Sequence, residues 1–252
     1  MKHIPWWKKV LFVLRISINV SRDAMQPFFD TRDAIHNVLM YALARHGYRP
    51  VTNRPSQWGF GVVGRSMPTR GARRLWRVER IIVGTTDPTM AEALAQIAPD
   101  DLVEPSQVPG AGLDVRGSTI QQETTWFPTS VLSLYAISPI RVLQRTDESH
   151  RSLAILTLGP EWEMALNRTM ATRFGRPFHL RVIPDAFYVR ARQGNLVAHM
   201  GVKKDAQGRP VILPGLVFPF VLAGPEADLR DAWFNGLGAG TGMGFGCLEV
   251  SE

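Results

Sequence analysis

The sequence predicts an α+β protein made of two tandem ferredoxin-like (RRM-like) βαββαβ modules. Strand-like and helix-like segments follow each other in β-α-β order twice along the 252 residues. The composition, 45% hydrophobic and 20% charged, is that of a globular chain long enough for two modules that each bury a core. We expect the first module at residues 1–125, with an arginine-rich helical insertion, and the second at 126–252, with a C-terminal glycine-rich loop.

The first module opens with a strand and a helix. Apolar and polar residues alternate over residues 14–20, which is the period of a half-buried strand. Asp30 or Thr31 can then cap a helix that runs to residue 46, and Gly47 ends it. The apolar stripe of this helix consists of Ile35, Leu39, Ala42 and Leu43.

The rest of the first module contains the densest cluster of charge in the chain. Residues 50–66 indicate a loop with a short strand, and residues 65–80 indicate a helix. One face of that helix would carry Arg70, Arg73, Arg74 and Arg77, and another Leu75, Val78 and Ile82. A capped helix follows over residues 87–98, and residues 99–125 are expected to form a long loop or a linker.

The second module begins near Ser130. A strand over residues 151–158 leads into a helix that starts after Gly159-Pro160 and ends at Gly175. Strands are predicted at about 178–183, 186–192, 195–203 and 210–222. A short helix from Pro225 to Trp233, a glycine tract and a last strand over residues 247–250 complete the chain.

Charge and cysteine content restrict the class of protein. The net charge is +7, and lysine supplies only five of the 29 basic residues, so arginine dominates. Guanidinium groups bind phosphate in a bidentate manner, and the composition therefore favours a polyanionic partner. The single cysteine, Cys247, excludes an intramolecular disulfide framework and a CxxC zinc site. The N-terminal region lacks a signal peptide's uninterrupted apolar run, so we expect a soluble, cytoplasmic protein.

Glycine occupies every second position from Gly236 to Gly246. The tract does not follow a first strand and contains no Gly-Lys-Ser/Thr, so neither a dinucleotide fingerprint nor a Walker A motif fits. Two interpretations remain: a packing loop before an edge strand, or a loop whose bare amides admit a phosphate backbone or position the neighbouring module. Under the second interpretation, the RNA-binding residues of the tract are Gly238, Gly240, Gly242 and Gly244.

This C-terminal region resembles a known family. A helix that carries Asp231 to Asn235, a glycine-rich loop ending in Gly244-Phe245-Gly246, and a last strand are similar to the signature of the RAMP superfamily, and more narrowly of the CRISPR RNA-processing endoribonucleases. The resemblance implies paired ferredoxin-like domains and metal-independent cleavage of CRISPR repeat hairpins, with no cofactor. It also implies that the protein keeps the mature guide RNA and joins other effector-complex subunits. The arginine-dense segment points to the type IV branch.

The resemblance also suggests where the catalytic residues lie. The family usually carries its histidine on or at the end of the first helix, which makes His46 our first candidate for the general base and His36 the second. For His46, a cation beside a helix C-terminus is the structural alternative. No lysine is near in sequence, so the predicted site is assisted by Arg22, Arg32 and Arg45, with Tyr41 close by.

The arginine-dense segment is the predicted site of RNA binding, and a solvated surface helix is its alternative. A row of like charges repels itself unless an anion lies alongside, and RNA offers such phosphates. The sequence therefore leaves three functions open: an endoribonuclease, a non-catalytic RNA-binding scaffold, and an arginine-rich DNA-binding regulator. The predicted contacts are Arg65, Arg70, Arg73, Arg74, Arg77 and Arg80.

Overall fold

The structure is a computed structural model that describes residues 13–21, 32–50, 56–68, 74–106, 115–123, 126, 128–145 and 152–251. Its helices are α1 Asp33–Arg45, α2 Pro88–Leu94, α3 Pro99–Ser106, α4 Pro160–Phe174, α5 Ala186–Ala191 and α6 Glu226–Asn235. Its strands are β1 Leu14–Asn19, β2 Trp58–Pro68, β3 Arg74–Thr85, β4 Thr119–Gln122, β5 Val131–Ala136, β6 Leu143–Arg145, β7 Ser152–Ala154, β8 Arg181–Pro184, β9 Val197–Lys204, β10 Pro210–Leu216, β11 Pro219–Ala223 and β12 Leu248–Val250.

The first sheet has the ferredoxin-like order. Its strands lie in the order β2-β3-β1-β4, and every neighbouring pair is antiparallel. The buried stripe of α1 packs on one face of this sheet as predicted, with Ile35, Leu39, Ala42 and Leu43 all inaccessible to solvent. Gly47, at φ 84°, follows the helix end where the sequence predicted it. The predicted caps Asp30 and Thr31 lie outside the described residues.

The second sheet repeats that order with a longer connection. Its strands lie in the order β12-β5-β11-β8, again antiparallel throughout, and α4 and α6 contribute the buried residues Leu166 and Leu229 to its core. Between β8 and β11 the chain inserts α5 and a separate β9–β10 hairpin. The predicted α+β class with two ferredoxin-like modules is confirmed. The boundary between residues 125 and 126 stays a prediction, and it lies between the two sheets.

The prediction of an arginine-rich helix is wrong. Residues 58–68 and 74–85 form the two strands of a long hairpin, in which Arg65 pairs with Arg77 and Arg74 pairs with Pro68. A β-bulge leaves Glu79 without a residue opposite it in β2, so Val78 and Ile81, three positions apart, both reach the core. The predicted stripe of Leu75, Val78 and Ile82 is therefore not one face, because Ile81, and not Ile82, lies in the same core cluster as Val78.

Four other element predictions are corrected. The strand predicted over residues 186–192 is instead the helix α5, Ala186–Ala191, because the Asp185 side chain accepts hydrogen bonds from the amides of Phe187 and Tyr188 and caps the helix. The expected loop at 99–125 contains α3 and β4, and β2 is eleven residues long where only a short strand was expected. The single strand predicted over residues 210–222 divides into β10 and β11, which belong to different sheets.

The two modules pack closely through the outer face of the first sheet. A Cβ at Gly84 would overlap the carbonyl oxygen of Phe234, so only glycine lets the end of α6 approach β3 this closely. On β1, the buried guanidinium of Arg15 donates to the carbonyl of Trp233 over 2.8 Å and lies 3.8 Å above its ring. Arg80 forms an ion pair with Glu249 across the same interface. This packing fixes the start of the glycine tract relative to the first module.

Candidate functional site

The glycine tract folds back on itself between the two modules. The amide of Leu237 donates to the carbonyl of Gly246 over 2.8 Å, which closes the tract, and residues 241–243 form a single 3-10 turn. All four glycines with a predicted RNA-binding role lie against protein atoms: Gly238 against Arg141, Gly240 against Phe245, Gly242 against Trp58 and Gly244 against Phe60. Gly240 is half-buried and the other three are buried. The packing interpretation therefore describes most of the tract, and its contact with RNA stays a prediction.

Gly246 carries the tightest contact of the tract. It has φ 61°, and a Cβ there would overlap the carbonyl oxygen of Leu237. We expect Gly246→Ala to lower the free energy of unfolding by the strain of a left-handed residue, about 1–2 kcal/mol, and by a further overpacking cost of about 1–3 kcal/mol. Gly208→Ala is the matched control, because Gly208 has φ 75° with no atom near its Cβ position, so it has the backbone strain alone. Equal losses for the two variants in urea unfolding would contradict this account.

Two buried arginines lie on either side of the tract. Arg32, just before α1 in the first module, lies close to Gly244, and Arg173, in the last turn of α4, contacts the tract from within the second module. Burial lowers the pKa of Arg32 to about 10 and that of Arg173 to about 10. Both guanidinium groups therefore stay charged near neutral pH, and they give the tract a positive environment.

His36 is the candidate histidine that contacts the tract. Its Nδ1 lies 2.7 Å from the carbonyl oxygen of Gly242, and its ring stacks on Trp58 at 5.7 Å between centroids. Because a carbonyl oxygen only accepts, Nδ1 is the donor, and Nε2 of the neutral ring keeps its lone pair. The ring is half-buried. This arrangement suits a general base held at a fixed angle.

His46 lies at the opposite end of α1. Ten residues separate the two histidines, which is about 15 Å along a helix axis. Its Nε2 lies 2.8 Å from Oδ2 of Asp101 in α3, and Arg45 lies 3.7 Å from the same carboxylate. The amide of Ala98 and the His46 ring hold the pKa of Asp101 below its usual value. This cluster joins α1 to α3, and the structure does not bring it together with His36.

The remaining predicted residues divide between these two ends of α1. Arg32 lies on the His36 side, and Arg22 falls outside the described residues. Tyr41 is 47% exposed in the middle of the helix, and Arg45 lies on the His46 side. In the hairpin, Arg65 is exposed and pairs with Glu79 at 2.9 Å. Arg70 and Arg73 lie outside the described residues, as does the side chain of Arg74, while Arg77 and Arg80 are half-buried.

Sequence reasoning missed the buried residues that organise the tract, above all Arg173 and Thr241. A signal for Arg173 was present: it lies three residues after the inward-facing Met170 and continues the apolar stripe of α4. A charged residue within an apolar stripe faces the protein interior, where it is buried and hydrogen-bonded. Its partners come from distant parts of the chain and leave no local pattern.

The described part of the chain contains neither a cluster of metal-binding side chains nor a helix that could span a membrane. There, no three His, Cys, Asp or Glu side chains lie together as a metal site would require. Among the same residues, no helix has the length and apolar character needed to cross a membrane. Cys247 is buried, and burial raises the pKa of its thiol to about 11.

Comparisons with known proteins agree with this architecture. Residues 122–250, which include the whole glycine tract, match the family model described as CRISPR associated protein Cas6, C-terminal. The product of a Cas6-related gene from Pyrococcus furiosus has a TM-score of 0.67 at 14% identity, with 95% of this chain and 99% of that chain covered. A RAMP protein that binds different RNA substrates gives 0.61 at 13% identity, with 95% and 99% covered. A CRISPR associated protein Cas6 gives 0.60 at 14% identity, with 95% and 100% covered.

These structural likenesses extend over nearly the whole chain and concern the fold. They agree with the two ferredoxin-like sheets described above. No curated protein is a significant match to the sequence.

Proposed function

Because the chain belongs to the Cas6 family of CRISPR associated proteins, we propose that it is a metal-independent endoribonuclease that cleaves repeat hairpins in CRISPR precursor transcripts. The observation that carries the proposal is the contact between His36 of the first module and Gly242 of the family's glycine tract. The mature guide RNA stays bound, and the complex recruits further effector subunits. The type IV branch remains a prediction from the arginine-dense segment.

Two properties of related proteins and of this chain support an RNA substrate. One structural relative is named as a RAMP protein binding different RNA substrates. The present chain has a net charge of +7, carried mostly by arginine, which suits phosphate contacts. Phosphate contacts position a nucleic acid, while unpaired bases and the 2′-hydroxyl distinguish RNA from DNA.

The chemistry assigns His36 the role of general base. Nε2 takes the proton of the ribose 2′-hydroxyl, the 2′-oxygen attacks phosphorus, and the 5′-oxygen leaves and takes a proton from a second group. The products are a 2′,3′-cyclic phosphate upstream and a 5′-hydroxyl downstream. The charge of Arg32, four residues before His36, stabilises the negative charge that develops on the phosphate.

The proposal predicts cleavage without a divalent metal. Purified protein incubated with a repeat hairpin in EDTA should give a 5′-hydroxyl fragment and an upstream fragment with a cyclic phosphate or its 3′-phosphate. Denaturing gels with end-specific labelling measure both ends. A dependence of the cleavage step on Mg²⁺, with the RNA folded beforehand in its absence, would contradict the mechanism. Tight binding of the hairpin without any cleavage would instead assign the scaffold function.

A further inference from the structure

Arg173 makes an unusual set of contacts for a buried cation. Its Nη1 donates to the carbonyls of Gly236 and Gly238 over 2.9 and 3.0 Å. Its Nη2 donates to the carbonyl of Asn235 over 3.1 Å and to Oγ1 of Thr241 over 2.9 Å. Both Nη2 and Nε also donate to the carbonyl of Ser56 in the first module, over 3.1 and 3.2 Å. One guanidinium thus bonds to the first arm of the glycine tract, to Thr241 in its 3-10 turn, and to Ser56, two residues before β2.

These contacts continue to His36. Oγ1 of Thr241, which accepts from Arg173, donates in turn to the carbonyl of Trp58 over 2.7 Å. Trp58 stacks on the His36 ring, and the residue after Thr241 is Gly242, whose carbonyl accepts from His36 Nδ1. Arg173 therefore reaches the imidazole by two routes, through the ring below it and through the carbonyl beside it.

A role in packing alone does not account well for this arrangement. Five of its acceptors are neutral oxygens and the sixth is the thioether sulfur of Met170 at 3.4 Å. Burial of a guanidinium costs free energy that neutral acceptors offset only in part. An apolar side chain of similar volume would avoid the cost of burying a charge, but it would leave these acceptors without the donor that they have here. The planar fork of five N–H donors can, however, fix several carbonyls at once, which lysine cannot do.

We propose that Arg173 is a positioning residue for the cleavage reaction, which fixes the Thr241–Gly242 turn and through it the orientation and tautomer of His36. This inference rests on the proposed function. It adds a residue of the second module that acts on the base in the first without touching the RNA.

The test uses Arg173→Lys in the full chain, with the ¹⁵N signals of His36 and the single-turnover cleavage rate as readouts. We expect the His36 ring to change from one tautomer to a mixture, and the rate at saturating RNA to fall roughly 10- to 100-fold. Hairpin affinity should change little. Arg176→Lys is the matched control, because Arg176 pairs with Asp228 and Asp231 within the second module and donates to the carbonyl of Pro177, and all three partners lie outside the tract. It should lower the melting temperature without altering the His36 signals.

Folded Arg173→Lys protein with wild-type His36 signals, or with a wild-type rate, would overturn the inference. If this variant does not fold, Thr241→Val breaks the same path at its second step and is judged by the same two readouts. The NMR signals do not depend on activity. Wild-type protein that binds the hairpin without cleaving it would contradict the proposed function, while the tautomer test would still report whether Arg173 holds His36.

Discussion

Replacement of His36 by alanine is expected to slow single-turnover cleavage by roughly 10²–10⁴-fold. The variant removes the Nε2 lone pair that takes the 2′-hydroxyl proton. Hairpin affinity should stay within a small factor of the wild-type value, because a single half-buried ring offers little surface to the RNA. Quenched-flow cleavage at saturating protein and filter binding to a 2′-deoxy substrate measure the two quantities separately.

His46→Ala is the matched control in the same helix. We expect its cleavage rate to remain close to that of the wild type, and its stability to fall, because Asp101 loses the partner that lies 2.8 Å away. The pKa of Asp101 is lowered in the fold, so its contribution to stability is present above its unfolded pKa and is lost as the pH falls through the folded one. The stability difference between the wild type and His46→Ala should therefore shrink in acid. A large loss of rate in His46→Ala, with none in His36→Ala, would restore the order of candidates that the sequence suggested.

The sequence could not decide between these histidines because the deciding contacts are not local. From the sequence, His46 has the advantage of a helix end, and the periodicity of α1 correctly predicts which of its residues are buried. The carbonyl that accepts from His36 belongs to Gly242, more than two hundred residues away, and the carboxylate beside His46 lies in a helix that was expected to be loop. Tertiary contacts of this separation leave no trace in a single sequence.

The sequence was sufficient to predict the two modules. The prediction of individual elements failed where tertiary structure alters the local periodicity. The alternation of apolar and polar residues predicted β1, and an apolar stripe followed by a glycine predicted α1 and α4. In β3, the bulge at Glu79 shifts the strand by one residue and puts Val78 and Ile81 on one face. The apolar residues of β3 therefore do not alternate with polar ones as they would in a regular strand. In α5, the capping carboxylate of Asp185 outweighs the β-propensity of the residues that follow it.

The correction from helix to hairpin changes the design of the test of RNA binding, although the expected effect remains large. Replacing Arg73, Arg74 and Arg77 together by glutamine removes three positive charges from the arginine-dense segment, of which Arg74 and Arg77 belong to β3. Each lost phosphate contact should reduce counterion release by about 0.7–0.9, so the slope of log affinity against log salt should flatten by roughly two to three units. The loss should be similar for hairpins with different loop sequences, since phosphates carry no base identity. Fluorescence anisotropy between 50 and 300 mM salt measures the slope.

The control must distinguish the loss of specific phosphate contacts from the loss of net positive charge. Arg168, Arg190 and Arg192 are exposed residues of α4 and of the segment around α5, and their joint replacement by glutamine removes the same three charges from the second module. If the hairpin is the phosphate-binding surface, only the first triple variant flattens the slope, and its cleavage step persists once RNA is saturating. Equal flattening in both variants would mean that the net charge of +7 acts without a localised surface. A wild-type slope in the first variant would make the arginines of the hairpin a solvated feature of an arginine-rich chain, and the RNA path would then have to be sought along the exposed surface of the second module.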